Sequence, residues 1–572
     1  MPPSAEPAAG FEPPGPGMWT LDTGHFPQPA TRFVSELFPE PARRGFREAT
    51  ARYGLLMDHI EWAFVHGWAY LCPRPVRALG EGMTRERWEA LVGATVGVGE
   101  RLASSATVFQ DRRWREDVAE WDHWTKPRMD RAHRELQAVE PTHLSASQLL
   151  SHLQRCRQNL QRAVHEHHRL DVAPVIPAGD FLVHAEEWTG RSTADLVQLI
   201  RGGDPLALAA GPELTRLAQA ARQEPPGAAI LTSEDEPGAV LHALASRPGA
   251  VGRAVAGYLN VVGWWSAGSG CDVGEPCLLE LPHLLLGTIR TAVQAGPRAA
   301  EPPASAELLA EVRAAVPAAS RDAFDALLAE ARATHRVRDE RAIHCDVWAY
   351  GLTRRAILAA GRGLTEDGAI QEPEHLVEAS YAELRSMIER TSGPSGEELA
   401  ARAGYRRAAT HHHIPALLGG PPPAPVPIEW LSPGAARTER AFRTYLRAMS
   451  GEEPSVGGAV SGVPASPGRY EGRARVIHST ADLARIEPGD VLVTGSTTPA
   501  LNPVLPLLGA IVTDRGGLLS HAAIVAREFG IPAVVGTGDA TTRIPDGALV
   551  RVDGATGQTT LLGPHSESNR SR

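Results

Sequence analysis

Residues 510–536 read AIVTDRGGLLSHAAIVAREFGIPAVVG. Ala510 to Thr513 form a short apolar run of the kind that makes a buried strand, and Gly516-Gly517 then breaks it with a tight turn. The apolar spacing after Ser520 predicts a helix, with His521 in its first turn. Two glycines before a helix start are expected to leave backbone amides uncovered. Together with the positive end of the helix, those amides suit a phosphate. An imidazole placed there is a nucleophile when neutral near pH 7 and a good leaving group once phosphorylated. Arg527 and Arg515 are the nearest cations in sequence that could neutralise the dianion.

Working outward, RARVIH (473–478), DVLVTG (490–495), PAVVG (532–536) and ALVRVDG (548–554) are further β-type runs, with turn signals at PDG and DG. With GAIVTD (509–514) and the single helix they predict a small α/β domain over 464–563. Before it, GGPPPAPVPIEWLSPG (419–434) and GEEPSVGGAVSGVPASPG (451–468) have linker chemistry and bracket one helical piece, TERAFRTYLRAM. From about residue 40 to 415 apolar residues recur at i, i+3 and i+4, including RGFREATARYGLLMDHIEWAFVHGW (44–68) and SASQLLSHLQRCRQNLQRAVHEHHRL (145–170). Pro/Gly breaks near 203–205, 225–227, 247–249 and 301–303 divide that run into helices of ordinary length. The expectation is a multidomain chain: a loose leader (1–18), a large, mainly α-helical domain (19–425), a linker region with one helix (426–463), the α/β domain (464–563) and a frayed tail (564–572). The 18 residues of 451–468 have a root-mean-square span of about 24 Å, enough for a small domain to travel between two sites.

Composition narrows the function. The 572 residues carry 57 basic and 67 acidic side chains, a formal charge of −10, which argues against nucleic acid or an anionic membrane as partner. Five scattered cysteines fit reduced thiols, and with neither a secretory leader nor an apolar run of spanning length a cytoplasmic protein is expected. Lys126 is the sole lysine, and no glycine-rich loop flanks it. The sequence thus offers no P-loop, and ATP binding by this sequence itself is not expected. The motif G-x-S-x-G is likewise missing, so a hydrolase elbow is not supported.

The 510–536 window resembles the phosphohistidine swivel domain of enzymes of the phosphoenolpyruvate-synthase and pyruvate-phosphate-dikinase type. Gly516, Gly517, Ser520, His521, Ala522, Ala523, Arg527, Glu528 and Gly530 to Gly536 stand at that domain's motif positions. VLVTGSTTPALNP (491–503) and VPASPGRYEGRARVI (463–477) look like the same domain. Leu519 replaces the synthase's usual Thr, which is more similar to the rifampicin phosphotransferase branch. MWTLDTGHFPQPATRF (18–33), GYLNVVGWWSAGSGCDVGEPCLLELPHLLLGTI (257–289), HRVRDERAIHCDVWAYGLTRRAILAAGRGLTEDGAI (335–370) and RRAATHHHIPALLGGPPP (406–423) resemble that branch more loosely, with Trp264-Trp265 in place of a basic residue.

The resemblance implies that His521 carries a phosphoryl group, that Gly516, Gly517 and Ser520 shape its site, and that Arg527 and Arg515 neutralise it. It also implies that the helical domain binds a small hydroxylated acceptor, with His25, His165, His168, Trp264, Trp265, His344 and Arg355 as candidate contacts. Fused members carry an ATP-grasp domain, and the phosphoenolpyruvate enzymes a TIM barrel; this sequence resembles neither part. A split system of the phenylphosphate-synthase kind is therefore expected, with ATP and Mg²⁺ on a separate ATP-grasp protein. Three outcomes are open: phosphoryl transfer, dehydration of a phosphorylated alcohol, or ligand sequestration by a protein with a relic swivel domain. No metal site is expected. His411-His412-His413 reads as loop, and Arg169 interrupts H-E-x-x-H at His165, His167 and His168.

Overall fold

The computed structural model describes residues 10–80, 82–200, 211–224, 230–231, 233–295, 303–450 and 460–562. The chain divides into two units: residues 1–184, 264–277 and 325–444 in the first, and residues 185–263, 278–324 and 445–572 in the second. It is multidomain and largely helical, with a strand-rich C-terminal part. No helix among the described residues is long and apolar enough to cross a membrane.

The first unit contains a sheet that the sequence reading did not expect. Strands β1 (Met18–Leu21), β2 (Met57–Val65), β3 (Trp68–Pro75) and β4 (Leu417–Gly419) pair antiparallel in the order β2-β3-β1-β4. The segment 44–68 is therefore not one helix. The helix Pro39–Arg52 stops there, and Gly54, at φ 63°, turns the chain where a Cβ would lie 2.2 Å from the Arg101 carbonyl oxygen. Met57, Ile60 and Phe64 have helical spacing, which explains the misreading. The density of aromatic and β-branched residues across β2 and β3, joined through His66 (φ 52°) and Gly67 (φ 84°), favours the hairpin. Trp19, Leu21, Trp68, Tyr70, Cys72 and Leu418 form the core under this sheet.

Residues 10–17, read as part of a loose leader, are ordered as well. Phe11 meets the His66 ring edge-on at 5.1 Å, and Arg74 Nη1 donates to the Pro16 carbonyl (2.5 Å).

Two features of the first unit aim side chains at one place. The helix Ala146–Arg169 starts in a Ser145/Gln148 capping box and packs against Pro39–Arg52. Their approach requires Gly45, since a Cβ there would sit 2.3 Å from the His165 carbonyl oxygen. The chain between Arg321–Arg341 and Trp348–Glu366 is a π-helical turn, Ala342–Val347. Such turns re-aim side chains and recur at functional sites.

In the second unit, the helices Gly211–Gln223, Pro237–Ala245, Ala250–Val262 and Pro282–Ala295 pack together. The break at 247–249 is present, with Gly249 at φ 116°; those at 203–205, 225–227 and 301–302 lie outside the described residues. The C-terminal sheet comprises β5 (Val460–Ser461), β6 (Val463–Ser466), β7 (Arg469–Ile477), β8 (Val491–Thr494), β9 (Ala510–Thr513), β10 (Ala533–Val535), β11 (Leu549–Asp553) and β12 (Gln558–Leu561), in the order β5-β12-β11-β7-β8-β9-β10-β6. β7, β8, β9 and β10 are parallel, with Val491 opposite Ala510 and Ile511 opposite Ala533. All five runs read as strands are strands.

β5 and β6 arise from residues read as linker, while the helical piece is the helix Pro433–Ser450. Val476, Val491, Val493, Val512, Val534 and Val550 fill the core of this domain. The 3₁₀ segment Pro499–Leu507 rests on the helix Pro282–Ala295, where Thr288 Oγ1 donates to the Pro503 carbonyl (2.7 Å). Residues 451–459 and the tail 564–572 lie outside the described residues.

Candidate active site

β9 ends at Thr513, and Gly516 (φ 107°) turns the chain toward the next helix. A Cβ at Gly516 would lie 2.7 Å from Cβ of Ser520. Ser520 is the N-cap, with its hydroxyl accepting from the Ala523 amide (3.4 Å), so His521 is the first residue of the helix His521–Phe529. Gly530, at φ 64°, ends that helix.

The imidazole of His521 is only 6% exposed. Its Nδ1 lies 2.8 Å from Oγ1 of Thr497, and its Nε2 lies 2.9 Å from Oδ1 of Asn502. In a neutral ring these contacts require Nε2–H to donate to Asn502 and the Thr497 hydroxyl to donate to Nδ1. Asn502 is wholly buried and its Nδ2 has no hydrogen-bond partner. Turning that amide over would supply the missing partner: Nδ2 would donate to Nε2, and Nδ1–H to Thr497. The second arrangement leaves the lone pair on Nε2, as a nucleophile requires. Sequence reasoning quoted the segment holding Thr497 and Asn502 but gave neither a role; a hydroxyl and an amide just beyond a buried strand were the available signal.

The glycine loop differs from expectation. The Gly517 amide donates to the Met449 carbonyl (2.9 Å) and the Leu519 amide to the Ala448 carbonyl (3.0 Å), so the last turn of Pro433–Ser450 already occupies two of the amides expected to face a phosphate. Arg527 is 3% exposed, and its guanidinium donates to the Ala465 carbonyl (3.0 Å) and the Leu518 carbonyl (2.8 Å). It thereby clamps β6 to the histidine loop. Arg515 is exposed, and its backbone amide bonds the Gly495 carbonyl (3.0 Å).

Removing only the Thr497 hydroxyl, by Thr497→Val, is expected to slow phosphorylation of His521 by about 10- to 100-fold. That corresponds to one hydrogen bond to a group gaining charge, about 1.5–3 kcal/mol. Phosphorylation kinetics, beside an unchanged circular-dichroism spectrum, check it.

In the first unit the candidate contacts do not form one site. His25 and His168 come together. His25 is half exposed (51%) and its Nδ1 pairs with Oδ2 of Asp22 at 2.8 Å, while Asp22 itself is 6% exposed. Trp62 Nε1 donates to the same carboxylate (3.3 Å), and the Trp62 ring lies 5.2 Å from that of His168. Burial pushes the Asp22 carboxyl up, but the charge and hydrogen bonds of His25 outweigh it and hold it down at about 2. The Asp22 charge, with Asp171 and Asp346 adding to it, raises His25 to about 9 against its desolvation.

Elsewhere, His165 pairs with Glu48 (3.1 Å) between two helices, and His344 pairs with Asp130 (2.6 Å). The Arg355 guanidinium lies over the Trp264 ring at 4.5 Å and bonds Glu140 (2.7 Å), while Trp265 is buried. Asp22, Asp171, Arg341 and Asp346, which complete the His25/His168 group, were not singled out from the sequence.

The Asp22–His25 ion pair is complete between the two values, and the proton leaves His25 as pH rises through about 9. In Asp22→Asn the His25 titration, followed by NMR of its ring protons, should fall toward the ordinary 6.5. A midpoint that stays near 9 would contradict the pairing.

Residues 486–557 match the family model described as PEP-utilising enzyme, mobile domain, and residues 175–339 match that of the rifampicin phosphotransferase fourth domain. His521 lies inside the first of these two matches.

Among its relatives, rifampicin phosphotransferase of Streptomyces sviceus is 34% identical over 213 residues, 37% of this chain and 22% of that protein. Phosphoenolpyruvate synthase of Aeropyrum pernix is 58% identical over 99 residues, 17% of this chain and 12% of that protein. Chondramide synthase of Chondromyces crocatus is 45% identical over 148 residues, 26% of this chain and 4% of that protein. The chain spans less than a quarter of the length of each of these relatives.

Proposed function

We propose that this chain is the phosphohistidine component of a phosphotransferase that acts on a hydroxyl of a small organic molecule. One observation carries the reading: an imidazole at a helix start inside the mobile-domain match, with Thr497 and Asn502 holding its two ring nitrogens. In the first step Nε2 attacks phosphorus, the N–P bond forms and the bond to the donor's leaving oxygen breaks. In the second the acceptor oxygen attacks, the N–P bond breaks, and the hydroxyl proton passes to a base. Positioning and charge supply most of the rate in such transfers.

The donor in this reading is ATP with Mg²⁺ on a separate ATP-grasp protein. Lys126, the sole lysine, is paired with Glu340 (3.0 Å), and no nucleotide-binding loop accompanies it. The ring is enclosed as it stands, so the reading requires the helix-end carbonyls or the Asn502 contact to give way before phosphorus can reach it. The relatives named for rifampicin phosphorylation and chondramide synthesis support a natural-product hydroxyl as the acceptor.

The test is incubation with the ATP-grasp protein and ATP labelled at the β or γ phosphate. An acid-labile, base-stable label on His521 is expected, and a phosphate ester once acceptor is added. An unlabelled chain under conditions where the ATP-grasp protein phosphorylates itself or turns over ATP ends the proposal. An alkene with free phosphate would replace transfer by dehydration.

A further inference from the structure

The last turn of the helix Ala146–Arg169 carries His167 and His168, and the chain folds back at once, the Asp171 amide donating to the His168 carbonyl (3.3 Å). One ligand-capable atom from each of His167, His168 and Asp171 falls within 4.8 Å of the others. The two rings are 4.9 Å apart at 62°, so adjacent histidines converge here instead of diverging as they do along a regular helix. Nδ1 of His168 lies 2.8 Å from Oδ2 of Asp171.

The surroundings already orient this group. Arg341 Nη2 pairs with Oδ1 of Asp171 (2.5 Å), the oxygen that His168 does not use, and Arg341 Nη1 donates to the His167 carbonyl (3.3 Å). Asp346, presented by the π-helical turn, brings Oδ2 to 2.5 Å from Nδ1 of His167. That nitrogen is buried and out of line for a hydrogen bond with it. A buried ring nitrogen without a hydrogen-bond partner, in contact with a carboxylate oxygen, is an unsatisfied polar group. Such an arrangement is relieved by a cation.

We propose that the first unit binds one divalent first-row transition-metal ion, with His167, His168 and Asp171 as ligands and Asp346 as the adjoining carboxylate. Two imidazoles and a carboxylate suit Zn²⁺ or Co²⁺ and disfavour Mg²⁺ and Ca²⁺, which take oxygen ligands. The 2.8 Å contact between His168 and Asp171 is a little shorter than two ligands of a shared tetrahedral ion would stand, so a small opening admits the metal. Arg341 neutralises only the outer oxygen of Asp171, and Asp346 supplies a second carboxylate charge beside the ion. Three protein ligands leave a position for an exogenous oxygen, and a hydroxyl or carboxylate oxygen is the ligand class it would take. Trp62, stacked near His168, connects this group to the half-exposed His25 and its Asp22 partner. The inference does not depend on the carrier reading, because none of its residues belongs to the unit that holds His521.

The experiment titrates the full chain, stripped with a chelator, with Zn²⁺ by calorimetry and with Co²⁺ by visible absorption. One ion per chain is expected, with a Co²⁺ spectrum of low coordination number and no heat from Mg²⁺. His167→Ala and Asp171→Asn should each weaken Zn²⁺ by about 100-fold or more while the far-ultraviolet spectrum of the apo chain is unchanged. His167→Ala keeps the test decisive if Asp171→Asn disturbs folding through Arg341, because Nδ1 of His167 has no hydrogen-bond partner. Failure of the folded wild-type chain to take up Zn²⁺ or Co²⁺ overturns the proposal. So does Zn²⁺ binding that survives His167→Ala, which would place the ion elsewhere, for instance at His411-His412-His413.

Discussion

Replacing His521 with alanine should abolish phosphoryl transfer, leaving no acid-labile label on the chain and no acceptor product above the uncatalysed background. The expected loss is that of a whole covalent step: no other histidine is held at a helix start with its two nitrogens positioned by Thr497 and Asn502 within the mobile-domain match. Covalent and acid–base contributions of this kind are worth many powers of ten, so residual turnover at even about one hundredth of wild type would be hard to reconcile with a phosphohistidine. The fold should survive, because the ring makes two neutral hydrogen bonds whose loss costs about 1–3 kcal/mol and the alanine remains a good helix former. An intact domain with full activity would remove the carrier role. Unchanged ligand affinity with no activity in either protein would favour sequestration instead.

The second large effect is on stability. Arg527→Met keeps the length of the side chain and removes the two donors that hold the Ala465 and Leu518 carbonyls. Both acceptors then lose charge-assisted hydrogen bonds at a buried site, a cost of about 3–5 kcal/mol. Thermal unfolding should shift down by about 10 °C, at roughly 2–4 °C per kcal/mol for a unit of this size. The histidine loop should show the earliest rise in amide exchange, since Leu518 lies between the glycine turn and Ser520. Arg527→Lys can reach one carbonyl and should recover part of the loss. An unchanged melting curve in Arg527→Met would mean that the clamp between β6 and the loop contributes nothing to holding the imidazole in place.

How much was legible in advance follows from the range of each interaction. The strands β7 to β11 and the helix at His521 announce themselves locally, through short apolar runs broken by Gly, Pro and Asp. The burial of β8, β9 and β10 on both faces leaves few alternatives. The hairpin of β2 and β3 was not legible. Met57, Ile60 and Phe64 satisfy helical spacing, and only pairing with β1, whose own partner β4 lies some 400 residues away in sequence, makes the strand state preferable. β5 and β6 were hidden for a similar reason: Val460 and Pro464 look like linker until β12 and β10 give them hydrogen-bond partners.

For the site, the sequence alone determined the placement of the ring: a glycine turn, a serine cap and a histidine define a helix-start imidazole without reference to anything distant. Local backbone rules suffice for that, because every group involved lies within a few residues of the next. Only the tertiary structure decided what the imidazole touches, what the arginine on its helix does, and that Met449 and Ala448 take the loop's amides. It alone gathered Asp22, His25, His168, Asp171, Arg341 and Asp346 from three separated segments into one group. A lone carboxylate or imidazole carries no mark in sequence of the partner that will meet it. Charge and hydrogen-bond energies are set by distances of a few ångströms, and folding alone fixes such distances between residues hundreds of positions apart.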